Sequence, residues 1–228
     1  MYFAFLDNPY IAVIGDIKES KKIVNRGCEQ ERLQAVLKDI NFKYDDDISS
    51  KFIITLGDEF QGLLRSGKNT MNIITEIERR MFPVKIRFGI GIGDITTEIN
   101  REMSIGADGP GYYRARSAID FLKNSEKKNQ TKAADIRLEA DSKNQAVSIM
   151  INTIFSLLTV IKESWSDRQR EVIWDMLEHQ DSQSAAARRL LIKQPAVQKS
   201  LSKGNYYAYK NALDTVEKAF AEIRRTNV

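Results

Sequence analysis

The chain has 228 residues, 42% of them hydrophobic and 29% charged, with a net charge of +4 and a single cysteine, Cys28. That is ordinary for a globular protein, with room for one large domain or a medium one plus a small one. One cysteine excludes an intrachain disulfide, and with His179 the only histidine, little remains from which to build a zinc site or a Cys/His nucleophile. The mild charge does not by itself imply nucleic acid; local clustering decides that.

The first residues, Met1-Tyr2-Phe3-Ala4-Phe5-Leu6, are apolar but lack a preceding basic residue and are interrupted by Asp7 and Pro9, a poor signal peptide. The longest apolar run, Ser148 to Ile161, contains Asn152 and is too short to span a bilayer. A cytoplasmic protein with no membrane partner is expected. Tyr10-Ile11-Ala12-Val13-Ile14 reads as a core strand ended by Gly15-Asp16, followed by the polar turn Ile17-Lys18-Glu19-Ser20. Leu33, Val36, Leu37 and Ile40 then recur at helical spacing, predicting a helix from about Glu29 to Asn41. Asp45-Asp46-Asp47 is either a solvated loop or a cation site. Phe52 to Leu64 has two apolar runs around Gly57-Asp58, the pattern of a tight β-hairpin.

A helix over about Asn69 to Arg80 follows, with Met71, Ile74 and Ile77 as its buried stripe. Beyond Pro83, Val84 to Gly93 alternates at strand period. Its glycines at 89, 91 and 93 leave one face bare, for a flat ligand or another backbone to approach, or else mark a bulge. Ile105-Gly106-Ala107-Asp108-Gly109-Pro110-Gly111 is turn-rich and feeds a helix from Tyr112 to Leu122. Its start offers free N–H groups to an anion near Asp108 and Gly109, with Arg114 and Arg116 adding positive charge; the plainer alternative is an ordinary loop. Lys123 to Lys132 reads as a mobile loop and Ala134 to Ala140 as a further strand. Asp141 is a plausible N-cap for a helix through Ile161 that is apolar on more than one side, hence sandwiched or shared with another chain.

Asp16 and Asp58 stand out because each ends or tops a strand. If the strands are neighbours, two carboxylates meet at one rim, and a divalent cation relieves their repulsion. Either Asp read alone is a common turn residue.

With these positions in place, the first 140 or so residues resemble the palm domain of class III nucleotide cyclases and GGDEF-type diguanylate cyclases. The resemblance implies a ferredoxin-like α+β palm. In it Asp16, the carbonyl of Ile17, and Asp58 would hold Mg or Mn over a nucleoside triphosphate. Lys18, Ser20, Gly57, Glu59, Asp108 and Gly109 would line the nucleotide, and Arg114 and Arg116 would be catalytic. The cyclase Asn and Arg of the helix after the loop are replaced here by Tyr113 and Ser117, so cyclisation is less supported than binding. The whole chain more specifically resembles the SatD family, through Ile14-Gly15-Asp16-Ile17, Leu56 to Gly62, Arg87 to Gly93, and Ile105 to Pro110 followed by Ala115-Arg116.

Toward the C-terminus, Ser166 and Gln169 form a capping box, with Val172, Ile173, Met176 and Leu177 as the buried face of its helix. Short helices from Gln183 to Leu190 and from Pro195 to Leu201, joined by Leu191 to Gln194, resemble a helix-turn-helix. Basic residues outnumber acidic ones there; Arg188, Lys193, Lys199 and Lys203 suit phosphates, and Gln194 and Gln198 suit base edges. The alternative is a three-helix packing module. Tyr206, Tyr207 and Tyr209 are expected to pack a last helix, Asn205 to Arg225. The domains expected are a palm over 1–140, a connecting helix over 141–164 and an all-α helix-turn-helix domain over 165–228. Together they make a nucleotide- and Mg-binding regulator, homodimeric and bound to double-stranded DNA. The alternative is an active nucleotidyl cyclase or oligonucleotide synthase whose last helices serve assembly.

Overall fold

The structure, a computed structural model, describes residues 2–5, 9–128 and 134–223. Asp7, the end of the loop expected up to Lys132, and Arg225 lie outside them. Among the described residues are the strands β1 (Tyr10–Ile17), β2 (Ile48–Leu56), β3 (Glu59–Leu64), β4 (Ile86–Gly93) and β5 (Ile136–Glu139). The helices are α1 (Arg26–Lys43), α2 (Thr70–Met81), α3 (Pro110–Lys127), α4 (Gln145–Glu163), α5 (Asp167–His179), α6 (Gln183–Arg189), α7 (Gln194–Lys203) and α8 (Tyr206–Ala221). The strands form one mixed sheet in the order β2-β3-β1-β4-β5, antiparallel except for the parallel pair β4–β5. The fold is therefore α+β, with strands and helices in the order the sequence predicts.

Alternation along β1 sorts the layers. Ile11, Val13 and Ile17 face the large core shared with α1 and α2, whereas Ala12 and Ile14 face α3 through Tyr112, Ala115 and Ile119. The glycines of β4 let α3 press directly onto the strand. A Cβ on Gly91 would lie 2.0 Å from the Gly111 carbonyl, and one on Gly89 2.3 Å from that of Ala115. Of the two readings of those glycines, the approaching backbone is the one realised.

Both sheet edges are closed by an asparagine from a helix. Asn41 on α1 bonds the N–H and carbonyl of Phe52 on β2, and Asn152 on α4 does the same for Leu138 on β5. These two-point bonds blunt edges that would otherwise invite another strand. Asn152, read as a polar interruption in an apolar run, thus has a structural task.

The large core continues from the sheet into the C-terminal helices, through Phe155 on α4, Trp165, Val172 and Ile173 on α5, Val197 and Leu201 on α7, and Phe220 on α8. Asp141 caps a short 3-10 turn, Ser142–Asn144, which leads into α4. That whole stretch, Ser142–Glu163, is long and apolar enough to cross a membrane by length and composition alone, an 18-residue window of it having a mean hydropathy of 1.5. This differs from the sequence expectation, because the helix runs past the apolar run at both ends. One side of it is built into the core, where Ile151, Phe155 and Leu158 are buried.

Candidate functional site

The Gly57-Asp58 turn is as tight as the sequence predicts, with Gly57 in the left-handed region at φ 56° and Leu56 facing Glu59 across the hairpin. The register then brings three charged residues into one row on the α3 face. Asp16 on β1 lies directly between Glu59 on β3 and Arg87 on β4. Asp58 sits at the same rim, its carbonyl accepting from the Ile17 N–H at 3.0 Å. The sequence argument placed Asp16 and Asp58 at a common edge, and the backbone does bring them there.

Their carboxylates, however, are engaged separately. Asp58 accepts from the hydroxyl of buried Ser20. Asp16, 5% exposed, takes Arg87 Nη1 on one oxygen at 2.5 Å and Lys123 Nζ on the other at 2.8 Å. Glu59 is held bidentately by Arg116, one contact being 2.6 Å. Arg87 in turn bonds Glu126 through Nε at 3.0 Å and Nη2 at 2.5 Å. Helix α3 thus sets Arg116, Lys123 and Glu126 over Glu59, Asp16 and Arg87, each opposite in sign to the residue beneath it. Burial works against the charge on Arg87, but Glu126 and Asp16 outweigh it and raise its pKa. The hydrogen bond that Arg116 donates to Glu59 likewise holds the Arg116 pKa above its ordinary value.

The charge pattern does not stop at the sheet. Lys18 bridges Glu126 and Asp135, at 2.7 Å each. The other oxygen of Asp135 meets Lys162 of α4 at 2.8 Å, and Lys162 also pairs with Glu78 of α2. Lys162 is 7% exposed; burial opposes its charge, yet Glu78 and Asp135 keep it firmly protonated. Burial raises Asp135 as well, and Lys162 and Lys18 more than reverse that, so its pKa lies below 3.8. Sequence reading missed Arg87, Lys123, Glu126, Asp135 and Lys162. Lys123 and Glu126 fall in the stretch read as a loop, but α3 runs on to Lys127, so that positions 116, 123 and 126 share one helical face.

As arranged, these residues do not fit a divalent ion. Both oxygens of Asp16 and of Glu59 are spent on cations, Asp58 is bonded to Ser20, and no metal-holding group of three His, Cys, Asp or Glu side chains occurs among the described residues. The nucleotide residues expected from sequence also divide. Lys18, Ser20, Gly57 and Glu59 gather at the rim, and Lys18 and Glu19 border an open cleft of about 540 Å³ together with Lys22, Lys85 and Glu126. Asp108 and Gly109 lie at the other end of the sheet, where β4 ends at Gly93 beside Tyr10. Six residues of strand separate that end from Arg87, about 20 Å at roughly 3.3 Å per residue. At that end of α3 the Gly111 N–H is already bonded to the Asp94 carbonyl, and Asp108 accepts from the Tyr113 hydroxyl. Arg114, expected beside the reacting group, donates to the Ile92 carbonyl at 2.5 Å and fixes the end of β4.

The basic tail is built differently. The capping box opens α5, with Ser166 and Gln169 bonding each other's backbone N–H. Ala186 and Ala187 let α6 approach its neighbours, Ile192 N–H bonds the Ala187 carbonyl, and Val197 and Leu201 anchor α7 beneath. Arg188, Lys193, Lys199 and Lys203 are all exposed and form no ion pair among the described residues, whereas Arg189 is clamped by Asp175 and Asp181 and Lys210 pairs with Asp214. Gln183 joins Gln194 at 2.7 Å, Gln198 at 2.6 Å and the Tyr207 hydroxyl at 3.1 Å. Tyr206 and Tyr209 pack α8 as expected; Tyr207 instead is 58% exposed and belongs to this polar ladder.

Fold and site together define an α+β protein whose acidic hairpin rim is neutralised by its own helix, and whose last helices carry unpaired positive charge. The chain belongs to the SatD family, whose model it matches over residues 10–213. Among solved structures it is similar to a bacterial light-regulated adenylyl cyclase, at 14% identity and a TM-score of 0.39, over 61% of this chain and 44% of that one. It is also similar to a regulator of polyketide synthase expression from Bifidobacterium adolescentis, at 10% identity and a TM-score of 0.31, over 96% and 87% of the two chains. The chain spans less than half the length of the cyclase chain, and neither likeness is close enough to argue from. A search of curated proteins found no match.

Proposed function

We propose that this SatD-family protein is a DNA-binding regulator, with α6 and α7 acting as a helix-turn-helix and the sheet as a palm-like body to which it is attached. The observation that carries the reading is the contrast among its cations. Arg188, Lys193, Lys199 and Lys203 form no ion pair among the described residues, whereas Arg189 on α6 and Lys210 on α8 do. Free cations on the surface, Lys199 and Lys203 among them one turn apart on α7, draw a phosphate backbone without first breaking an ion pair. Gln194 and Gln198, held side by side through Gln183, stand on the same helix, and paired amide groups suit adenine edges. Fluorescence anisotropy with a labelled DNA duplex at low salt tests this. Wild type binds, and Lys199→Glu with Lys203→Glu weakens binding at least about tenfold, the loss two reversed phosphate contacts imply. Equal affinity of the two proteins would remove the reading.

A second reading, nucleotide binding at the hairpin, has one observation in its favour: Ile17, Lys18, Ser20, Asp58 and Glu59 gather at one rim, of which Lys18 also borders the cleft. Magnesium or manganese is not carried into it, because the carboxylates that would hold the ion are engaged. Calorimetric titration with ATP and GTP, with and without Mg²⁺, on wild type and Asp58→Asn, decides it. Heat that vanishes in Asp58→Asn supports the reading, and its absence in wild type removes it.

A further inference from the structure

Helix α4 has two apolar faces. One is built into the core through Ile151, Phe155 and Leu158. The other carries Ile149, Met150, Leu157 and Val160, each between 56% and 59% exposed, although all four are large aliphatic side chains. With Ala146 and Thr153 they make a stripe on the side of the helix opposite the core, stepping by three or four residues. No charged residue lies in it, since the charges of α4 are Lys162 and Glu163 at its last turn. A stripe with that spacing is the seam along which one helix packs against another.

The order of residues along the stripe identifies the partner. Counted from Thr153, Ile149 and Leu157 lie four residues to either side, and Ala146 and Val160 seven. An antiparallel copy crossing at Thr153 therefore sets Ile149 against Leu157, small Ala146 against branched Val160, and Met150 against Ser156, twice over. That is the self-complementarity a two-fold interface requires, where the same patch must fit itself. The neighbouring sheet edge is closed by Asn152, so the contact is helix to helix rather than a continued sheet.

We infer that α4 is the homodimer interface of this protein, two copies crossing antiparallel at Thr153. The inference stands apart from DNA binding: a dimer that binds no DNA would leave it intact, and a DNA-binding monomer would overturn it alone. Sedimentation velocity on the full chain over a concentration series is expected to give twice the chain mass for wild type. For Leu157→Glu it is expected to give a monomer with an unchanged circular dichroism spectrum, dimerisation weakened about thirtyfold or more, as for a central interface residue. In a Cys28→Ser background, Ala146→Cys and Val160→Cys chains should cross-link on oxidation when mixed and not when separate. A monomeric wild type, a dimer indifferent to Leu157→Glu, or cross-linking of Ala146→Cys chains to one another would overturn the inference. So would a monomer that co-sediments with phosphatidylcholine vesicles through the same face, which would assign the stripe to lipid.

Discussion

The hairpin rim and the helical tail both carry clusters of charged side chains and use them in opposite ways. At the rim the charges are buried or half-buried and spent on one another, from Lys123 through Asp16, Arg87, Glu126, Lys18 and Asp135 to Lys162 and Glu78. In the tail Arg188, Lys193, Lys199 and Lys203 stand in solvent with no acidic partner. A buried charge must be matched where it sits, because removing it from water costs more than any single contact returns. An exposed one remains available to a ligand at little cost. Residue type alone therefore says little about function; the state of pairing says more. Substitutions at the rim should change stability, and substitutions in the tail should change binding.

The largest effect is expected where the buried chain is broken. Lys162→Met leaves Glu78 without its cation and Asp135 with Lys18 alone, which should cost about 3–5 kcal/mol in urea unfolding. An unchanged midpoint would mean that the chain holds nothing together. Next comes the seam between α3 and β4. Gly91→Ala sets a methyl group 2.0 Å from a backbone oxygen, and forcing the helix off the strand should cost about 1–3 kcal/mol.

A smaller effect is the pH dependence at the same network. Asp135 is held below 3.8 in the folded chain, so the stability it contributes is complete above that value and is lost as pH falls through its depressed native pKa. Asp135→Asn should therefore flatten the acid limb of stability against pH, below about pH 4, without altering the slope at neutral pH. Smallest of all, Lys199→Glu should shift the unfolding midpoint by no more than about 0.5 kcal/mol, as for an exposed position without partners. If it destabilises as strongly as a rim substitution, the contrast between the two regions fails.

Much of the fold was legible because periodicity reports which face is buried. Leu33, Val36, Leu37 and Ile40 gave α1, the Gly57-Asp58 pair gave the hairpin, and Ser166 with Gln169 gave the start of α5. The meeting of Asp16 and Asp58 at one edge was legible too, as a consequence of strand pairing. What the carboxylates do there was not. Arg87 of β4 reaches Asp16 from 71 residues away, Arg116 of α3 reaches Glu59 from 57 and Ser20 reaches Asp58 from 38, and only the register of β1 on β3 and β4 decides who faces whom. Local pattern carries no record of that register, so an Asp ending a strand looks the same whether a metal or an arginine awaits it. The reach of a side chain was equally hidden. Arg114 and Arg116 differ by two positions, yet one closes a strand end and the other grips Glu59.

The claim that free tail charges face a phosphate backbone is tested most directly by the salt dependence of duplex binding. If Arg188, Lys193, Lys199 and Lys203 each neutralise one phosphate, log K against log salt should fall with a slope of about −3 to −4, and Lys199→Glu should make it shallower by about one. A wild-type protein that fails to bind at the lowest salt, or binds with a slope that Lys199→Glu leaves unchanged, would contradict it.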